Sequence, residues 1–413
     1  MAVGEVHIIG AGVVGLATAA ACVERGFKVT IVDREGVAAG ASQGNAGAIA
    51  WTDVAPLASP GVWKKAASWL LDPLGPLAVR PAYAFQVVPW MVRFLAASSP
   101  DRVASSTKAI AALNAQAMPA WERLWRASGT HNQVRRDGCL EVFDRQADLE
   151  QARNGWAKQR EHGIRVEKLT VSELRDLEPG FSGAVIGGAL VPDWVQLDDP
   201  KTLCTSIANW LAARDVKFEA ASVAQIREES GTVVLTSDDG RTYQSDKAVI
   251  ACGAWSKHLA AQLGDSVPLD TERGYNITLP EPGVEIRRFI MLPGHGFVLS
   301  HLSGGLRIGG AVEFGGLKLP PNWKRVDAMV TKAKRILPEL NTGTGQRWMG
   351  FRPSMPDSLP VIGLSSAASN VAYAFGHAHH GLTQSAATGE LVAQLLSGQS
   401  PELDLHPFRA TRF

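Results

Sequence analysis

The amino-acid sequence predicts a protein of mixed α/β and α+β class, on three observations. The chain opens with an apolar run, a glycine-rich turn, an alanine-rich stretch and a second β-branched run, all within residues 6–33. This order is typical of a βαβ unit with parallel strands. A further buried strand ends in a glycine turn at 247–253, and residues 223–243 carry the turn residues of an antiparallel meander. We therefore expect one domain with a parallel sheet and a second domain of antiparallel sheet plus helices.

The remaining elements follow from apolar periodicity and from Gly and Pro punctuation. Helices are predicted over 13–25, 101–127, 146–162, 200–214, 326–337 and 382–396. Strands are predicted over 6–9, 28–33, 135–143, 185–197, 247–251, 274–279, 296–301, 306–314 and 371–375. The length of 413 residues also favours two domains.

Composition excludes several classes of function. Lys plus Arg total 41 and Asp plus Glu total 40, so the net charge of +1 lacks the excess that attracts nucleic acid, and no nucleic-acid partner is expected. The four cysteines form no C-x-x-C pair, which predicts neither a zinc ribbon nor a redox motif. So few cysteines favour a reducing, cytoplasmic location. The sequence contains no uninterrupted run of 18 or more apolar residues, so no transmembrane helix is expected.

A dinucleotide fingerprint lies between the first strand and the first helix. Gly10, Gly12 and Gly15 form G-x-G-x-x-G, with Val13 and Val14 between the last two glycines. The first glycine permits a tight turn, the second a close approach to a pyrophosphate, and the third close helix–strand contact. The helix N-terminus offers free N–H groups to the phosphates.

An acidic residue completes the fingerprint at the end of the second strand. Asp33 is placed to accept the ribose hydroxyls of an adenosine. The fingerprint serves both NAD and FAD. FAD is favoured because residues 40–47 form a loop of small residues, which lets a large planar ring approach the backbone. A β-meander, instead of repeated βα units, points the same way.

These motifs resemble the FAD-dependent D-amino-acid oxidoreductase family, which includes D-amino-acid oxidase, glycine oxidase, sarcosine oxidase and D-amino-acid dehydrogenase. The resemblance extends over nearly the whole chain. Its more specific part is the C-terminal R-P…P-D-x-x-P-x-I-G at 352–363, followed by G-H-x-x-x-G at 376–381. Within the family, the G-N-A-G loop at 44–47 and the R-G-Y segment at 273–275 are most similar to bacterial D-proline or cis-4-hydroxy-D-proline dehydrogenases.

The resemblance implies two discontinuous domains and a set of cofactor residues. Residues 1–53, 197–262 and 344–413 are expected to form a Rossmann-like FAD-binding domain, and 54–196 and 263–343 the substrate-binding domain. The residues expected to contact FAD, from the fingerprint and the resemblance together, are Gly10, Gly12, Val13, Val14, Gly15, Asp33, Arg34, Ala41, Ser42, Asn45, Ala46, Gly47, Gly253, Trp255, Gly376, His380, Gly381, Leu382 and Thr383.

Three residues are the main candidates for substrate chemistry. Arg352 stands where the family's arginine holds the substrate carboxylate, and a guanidinium can grip a carboxylate with two parallel hydrogen bonds. Tyr275 is expected to hydrogen-bond the carboxylate or cover the flavin, although packing in a sheet core is an equally good interpretation. Arg273 is a weaker candidate on the same strand face.

The third candidate, His379, falls where glycine oxidase carries a second arginine. With His377 and His380 it forms H-x-H-H, a spacing with no fixed metal-ligand pattern and no adjacent carboxylate, so no metal is predicted. The family resemblance implies that this turn and the following helix N-terminus face the flavin. His295 and His301 remain open as proton acceptors.

The predicted reaction is oxidation of a D-amino acid by hydride transfer from Cα to flavin N5, giving an imino acid, with D-proline or cis-4-hydroxy-D-proline as candidate substrates. An O₂-using oxidase and an FAD-carrying subunit of a larger dehydrogenase stay open as alternatives. The electron acceptor (quinone, dye-like carrier or O₂) is not determined by the sequence. The Trp-rich segment 56–95 allows peripheral contact with the inner face of the cell membrane, but helices packed on the FAD domain are favoured, because its charges are few and prolines interrupt it.

Overall fold

The computed structural model of the protein describes residues 3–59, 77–161 and 163–413. Its strands are β1 Glu5–Ile9, β2 Lys28–Asp33, β3 Ala48–Ile49, β4 Leu77–Val79, β5 Val134–Arg135, β6 Cys139–Phe143, β7 Glu167–Leu169, β8 Gly187–Val191, β9 Val195–Leu197, β10 Lys217–Ala220, β11 Val223–Glu229, β12 Thr232–Ser237, β13 Thr242–Ser245, β14 Lys247–Ile250, β15 Asp270–Leu279, β16 Phe289–Leu292, β17 Phe297–Leu302, β18 Gly305–Phe314, β19 Gln346–Ser354, β20 Val361–Leu364 and β21 Val371–Phe375. Its α-helices are α1 Val13–Glu24, α2 Ala84–Ala97, α3 Pro100–Ser128, α4 Gln146–Glu161, α5 Val171–Leu177, α6 Pro200–Ala212, α7 Ser256–Gln262, α8 Lys324–Ile336 and α9 Gly381–Leu396.

A six-stranded sheet forms the centre of the first domain, in the order β10-β2-β1-β14-β21-β20. Every neighbouring pair is parallel except β20 with β21. The predicted βαβ unit is confirmed, and β11, β12 and β13 form the predicted antiparallel meander. Helices α1 and α9 approach closely, because a Cβ on Gly389 would lie 2.7 Å from the backbone of Ala17.

A larger, mainly antiparallel sheet forms the second domain, in the order β19-β15-β18-β17-β16-β6-β8-β7, with β4 beside β18. One face carries a buried core that includes Ile277, Ile308 and Val326 of α8. Strand β19 belongs to this sheet because it pairs with β15 from Thr278 to Asp270. The predicted boundary at residue 344 is therefore wrong for this strand, which brings Arg352 into the substrate-side wall.

Two predicted strands are each divided in the structure. Between β5 and β6, Gly138 has φ +75°, a conformation that interrupts an extended strand. β8 and β9 are likewise separate, and β5 and β9 pair in a small third sheet with β3. This third sheet joins the loop that follows β2 to the second domain.

Part of the Trp-rich segment, including Trp63 and Trp69, lies outside the described residues. Trp90, on α2, is buried: its Nε1 donates a hydrogen bond to Ser354 O at 3.2 Å and its ring stacks on Phe94. Packing accounts for this tryptophan. Over the described ranges, none of the helices has the length and hydropathy needed to cross a bilayer.

Candidate active site

One cavity of about 740 Å³ connects the glycine fingerprint with strand β19. Residues of both large sheets line it, together with the loop 39–53 and the turn before α9. This volume lies within the usual range for sites that bind cofactors and small ligands. The cavity is continuous, and we name its two ends after the sequence predictions: the fingerprint side is the nucleotide end and the Arg352 side is the substrate end.

At the nucleotide end, the glycines are required by their surroundings. Gly10 has φ +116°, and a Cβ on it would lie 2.5 Å from Ala251 O. A Cβ on Gly15 would lie 1.9 Å from Gly10 O, so α1 could not begin so close to β1 with any side chain there. Gly12 lies at the helix N-terminus, where a Cβ would meet Ser42 Oγ at 3.2 Å. Gly10 thus has the turn conformation, and Gly15 the close helix–strand contact, that the fingerprint predicts, while the approach of Gly12 to a pyrophosphate stays a prediction.

The acidic residue of the fingerprint is held in place by backbone donors. Asp33 Oδ2 accepts a hydrogen bond from Ala11 N at 2.8 Å, and Oδ1 accepts from Glu35 N and Gly36 N at 2.8 Å each. Beside it, the Arg34 guanidinium lies 3.7 Å from the centre of the Trp255 ring. Asp33, Arg34 and Trp255 thus form the wall of the adenosine end.

The loop after β2 connects the two ends of the cavity. Ser42 Oγ accepts a hydrogen bond from Val13 N at 3.0 Å, and Asn45 Oδ1 accepts from Gly47 N at 2.7 Å, where Gly47 has φ +79°. From the second domain, Arg307 donates to the carbonyls of Gln43 and Asn45. These contacts fix a loop of small residues along the cavity.

The N-terminus of α9 lies on the same cavity. Trp121 Nε1 donates to Leu382 O at 3.1 Å and Thr383 O at 3.2 Å, and Thr383 Oγ1 accepts from Ala50 N at 3.0 Å. His377 Nε2 lies 3.0 Å from Thr388 Oγ1. Burial, followed by the neighbouring His380, lowers the pKa of His377 to about 3, so this imidazole is neutral. Burial also lowers the pKa of His380.

Most of the predicted cofactor residues line this one cavity, and the structure brings Arg352 and His379 to its other end. The lining residues among them are Gly10, Gly12, Val13, Val14, Asp33, Arg34, Ala41, Ser42, Asn45, Ala46, Gly253, Trp255, His380, Gly381, Leu382 and Thr383. Gly15, Gly47 and Gly376 do not line it. Gly47 and Gly376 instead occupy turns with φ +79° and +85°.

At the substrate end, the guanidinium of Arg352 lies across the backbone of β15. A Cβ on Gly274 would be 2.4 Å from Arg352 Cζ, so only glycine leaves room for this arrangement. Arg352 Nη1 donates a hydrogen bond to Ala311 O at 3.0 Å. Ala311 has φ +56° and lies within an irregularity of the β15–β18 pairing, where its carbonyl accepts from the guanidinium. No other acceptor for Arg352 is found among the described residues.

A buried carboxylate lies beside this arginine. Glu272, which pairs across the strands with Arg352, is 2% exposed. Its Oε2 is 2.8 Å from His379 Nε2, and its Oε1 accepts a hydrogen bond from Ser354 Oγ at 2.5 Å. Burial acts to raise the pKa of Glu272, but His379, Ser354 and Arg352 together hold it below its ordinary value. The carboxylate is therefore ionised at neutral pH.

Tyr275 borders the cavity, but the contacts of its side chain are those of a core residue and not those expected of a substrate ligand. Its hydroxyl donates to Glu313 Oε1 at 2.8 Å and accepts from Asn322 N at 3.0 Å, and its ring packs against Trp323. Successive residues of a strand point to opposite faces, so the phenol lies on the face away from Gly274 and Arg352. The alternative interpretation, packing in the sheet core, describes this tyrosine.

Arg273 lies on the same face as Tyr275, as predicted, but it is also structural. It is fully buried and donates to the carbonyls of Gly315, Gly316 and Leu319. Its Nη1 lies 3.5 Å from Glu313 Oε1. It therefore fastens the chain after β18 to β15.

The functional neighbours that the sequence did not reveal are Glu272, Gly274 and Ala311. A period-2 count along β15 places Glu272, Gly274 and Asn276 on one face, and this pattern could have selected Glu272. The contact with His379 could not be found in this way, because 107 positions separate the two residues.

The residues along the cavity fit FAD. The glycine cradle has no room for side chains, Val13 N–H and its neighbours begin a helix at the phosphate position, and Asp33 stands at the ribose position. The small-residue loop and the N-terminus of α9 then border the cavity up to Arg352. FAD would thus extend from Asp33 to the wall formed by β15 and β19.

Comparisons with known proteins agree with this geometry. The family model "FAD dependent oxidoreductase" (DAO) matches residues 5–395. The chain is 36% identical over 419 positions to a D-amino-acid oxidase of Bradyrhizobium diazoefficiens, with 99% of each chain covered. It is 28% identical to a D-amino acid dehydrogenase of Allorhizobium ampelinum, over 99% of this chain and 98% of the relative.

Two solved structures share the fold. Glycine oxidase from Geobacillus kaustophilus superimposes with a TM-score of 0.76 at 23% identity, with 99% of each chain covered. L-proline dehydrogenase from P. horikoshii superimposes with a TM-score of 0.75 at 18% identity, over 99% of this chain and 97% of the other. The predicted family and cofactor are confirmed: the chain belongs to the DAO family of FAD-dependent oxidoreductases.

Proposed function

We propose that this protein oxidises a D-amino acid to its imino acid. The observation that carries the proposal is that Arg352, whose guanidinium has one acceptor among the described residues, borders the same cavity as Asp33 and the fingerprint glycines. The names of the relatives, D-amino-acid oxidase and D-amino acid dehydrogenase, support the same substrate class.

The protein's own residues bind and orient the substrate. Arg352 offers its free N–H groups to the carboxylate as a planar pair, which fixes the direction of the Cα–H bond as well as the charge. Gly274 gives the guanidinium its place, and the Ala311 carbonyl holds it in plane. Bound FAD supplies the acceptor for the hydride from Cα. With FAD bound, the N–H groups at the start of α9 would offer a partial positive charge to the reduced flavin.

The finer proposal is a cyclic substrate, D-proline or cis-4-hydroxy-D-proline. The indole of Trp348 lies over Gly44 and Gly350, where a Cβ would meet it at 2.2 Å and 2.0 Å. With Met291 and Phe297 it gives the cavity apolar surfaces suited to a pyrrolidine ring. The name of a neighbour in fold, L-proline dehydrogenase, is compatible with such a ring.

Anaerobic reduction of the purified yellow holoenzyme tests the substrate. D-proline and cis-4-hydroxy-D-proline are expected to bleach the flavin absorbance faster than D-alanine, glycine or L-proline. Bleaching by D-alanine but not by D-proline would overturn the cyclic substrate alone. If no amino acid of either configuration bleached the flavin, the proposed function would be wrong.

We propose that the electron acceptor is a quinone at the inner, cytoplasmic face of the membrane. Helix α2 presents an exposed apolar stripe of Phe85, Val88, Val92 and Leu95, and Phe85 is 90% exposed. The spacing of three, four and three residues places all four on one side of the helix. Arg93 is exposed on the same helix and suits an anionic lipid surface.

Co-sedimentation with phosphatidylglycerol-containing vesicles tests the membrane contact. The holoenzyme is expected to sediment with them, and the double variant V88S/V92S to remain in the supernatant. The Gln86→Ser variant is the matched control on the same helix. Sedimentation of neither the holoenzyme nor the control, or rapid peroxide release instead of dye reduction, would favour an O₂-using enzyme away from the membrane.

A further inference from the structure

Glu272 and His379 form a hydrogen-bonded pair in which only one of the two imidazole nitrogens is used. Ser354 occupies one carboxylate oxygen of Glu272, and His379 Nε2 occupies the other at 2.8 Å. The carboxylate is 2% exposed, whereas the imidazole is 34% exposed and lines the cavity. Among the described residues, Nδ1 of His379 has no hydrogen-bond partner.

The ionised carboxylate determines which nitrogen of His379 carries the proton. A carboxylate without a proton can only accept a hydrogen bond, so His379 Nε2 must donate to it. In the neutral imidazole, Nδ1 then holds a lone pair. Since Glu272 and Arg352 are direct cross-strand partners, this lone pair belongs to the same site as the carboxylate anchor.

The charges around the imidazole come from several elements. Arg352 of β19 faces the pair from the adjacent strand, and it favours the ionised form of Glu272. His380 follows in the same turn, and Asp53 of the loop after β3 acts on it to raise its pKa, against burial and the effect of His379. Asp270, two positions before Glu272 at the start of β15, is a further carboxyl group near the pair. Burial raises the pKa of Asp270.

We propose that His379 accepts the proton of the substrate ammonium group, and that Glu272 is the positioning residue that holds its imidazole in the required tautomer. One N–H bond of the substrate ammonium breaks, and its electron pair stays on the substrate nitrogen. The proton forms a new bond with the lone pair of His379 Nδ1. Glu272 remains ionised and retains the hydrogen bond from Nε2. This inference rests on the proposed amino-acid substrate.

The proton transfer has a clear purpose in the reaction. An amino acid in neutral solution carries an ammonium group, which has no lone pair to assist departure of hydride from Cα. With Arg352 on the carboxylate and the Nδ1 lone pair of His379 as proton acceptor, the zwitterion can bind and become a free amine within the site. The substrate then need not be recruited from the small fraction that is already deprotonated in solution.

The pH dependence of kcat/KM for the D-amino acid tests the role of His379. His379→Gln keeps an N–H donor for Glu272 but has no group that titrates. We expect kcat/KM to fall about 10²-fold at pH 7 and to rise about tenfold per pH unit toward the pKa of the free substrate amine, so that high pH restores the reaction. A loss that is uniform over pH would mean a structural role and would overturn the proposal.

A histidine elsewhere in the second domain provides a matched control. His295 Nε2 also lies 2.8 Å from a carboxylate whose side chain is buried, that of Asp144, so it is a pair of equal length outside the proposed step. His295→Gln is expected to keep the wild-type shape of the pH profile. If this variant, and not His379→Gln, acquired the new slope, His295 would be the acceptor and the assignment to His379 would be wrong.

An NMR experiment tests the positioning role without any turnover. In holoenzyme labelled with ¹⁵N-histidine, the His379 signals are those missing from His379→Gln. We expect the Nε2–H tautomer at pH 8, and a mixture of both tautomers in Glu272→Gln, because an amide at position 272 no longer requires a donor at Nε2. An Nδ1–H tautomer in the parent enzyme, or an unchanged tautomer in Glu272→Gln, would overturn the role of Glu272. The tautomer of His379 can be measured even if no amino acid reduces the flavin. The positioning role of Glu272 and the proposed oxidation of an amino acid can therefore be refuted independently.

Discussion

Replacing Gly274 by alanine should impair substrate binding while leaving the fold intact. The new Cβ would lie 2.4 Å from Arg352 Cζ, whereas ordinary van der Waals contact begins at 3.4 Å, so the guanidinium must move by about 1 Å. The obstacle is the end of a flexible side chain, so the cost in folding free energy should be below about 1 kcal/mol. A displacement of this size at a positioning group typically costs about 10²-fold. We therefore expect kcat/KM for the D-amino acid to fall by about two orders of magnitude.

The assay is dye reduction under steady-state conditions, with FAD content and urea unfolding measured on the same preparations. Gly309→Ala is the matched control, because it is a glycine on the neighbouring strand whose Cβ would meet Asn276 Cβ at a tolerable 3.4 Å. It should keep kcat/KM within a few fold. A Gly274→Ala enzyme with the KM of the parent would refute the assigned position of Arg352 as the carboxylate anchor.

Three further predictions follow from the same geometry. Arg352→Ala should raise KM at least about 10²-fold with FAD still bound, and Arg352→Lys should recover little of this, since an ammonium cannot form the planar pair; flavin absorbance and steady-state kinetics measure both. Gly15→Ala should yield apoprotein or no folded protein, because its Cβ would be 1.9 Å from Gly10 O, and the absorbance ratio of flavin to protein reports the loss. His377 has a lowered pKa, so the unfolded chain binds the extra proton and stability must fall as pH decreases from about 6.5 toward 3. Urea unfolding at pH 7 and 5 should show a loss of up to about 2 kcal/mol that is absent in His377→Gln.

Local sequence patterns were sufficient for much of the first domain. The βαβ unit, the fingerprint glycines and Asp33 lie within 33 consecutive positions, and each is determined by contacts with its near neighbours. Arg352 was also identified, through the resemblance of its motif to a known family. The strand to which it belongs was assigned to the wrong domain, because pairing with β15 is a contact between distant segments that no local pattern records.

The substrate end shows where such reasoning stops. Tyr275 was chosen for its chemistry, yet the strand alternation directs its phenol to Glu313 and the core. Glu272, with no motif to mark it, takes the cavity side together with Gly274. Helix α8 covers the face of β15 that carries Tyr275 and Ile277, so the opposite face of the strand meets the cavity. This contact joins distant segments of the chain and cannot be derived from the local sequence of β15.

The whole chain is nearly neutral, and the site likewise contains one acidic and one basic group close together. Glu272 and Arg352 are cross-strand partners, but neither occupies the hydrogen-bonding groups of the other. Both oxygens of Glu272 are occupied by His379 and Ser354, and over the described residues no ion pair joins Glu272 to Arg352. The carboxylate therefore compensates the charge of Arg352 without taking its N–H groups, which remain for a substrate. A direct pair would have been satisfied within the protein, and a carboxylate ligand would then have had to break it. Buried charges are costly unless they are hydrogen-bonded, and here Ser354 and His379 supply those bonds so that Arg352 does not have to.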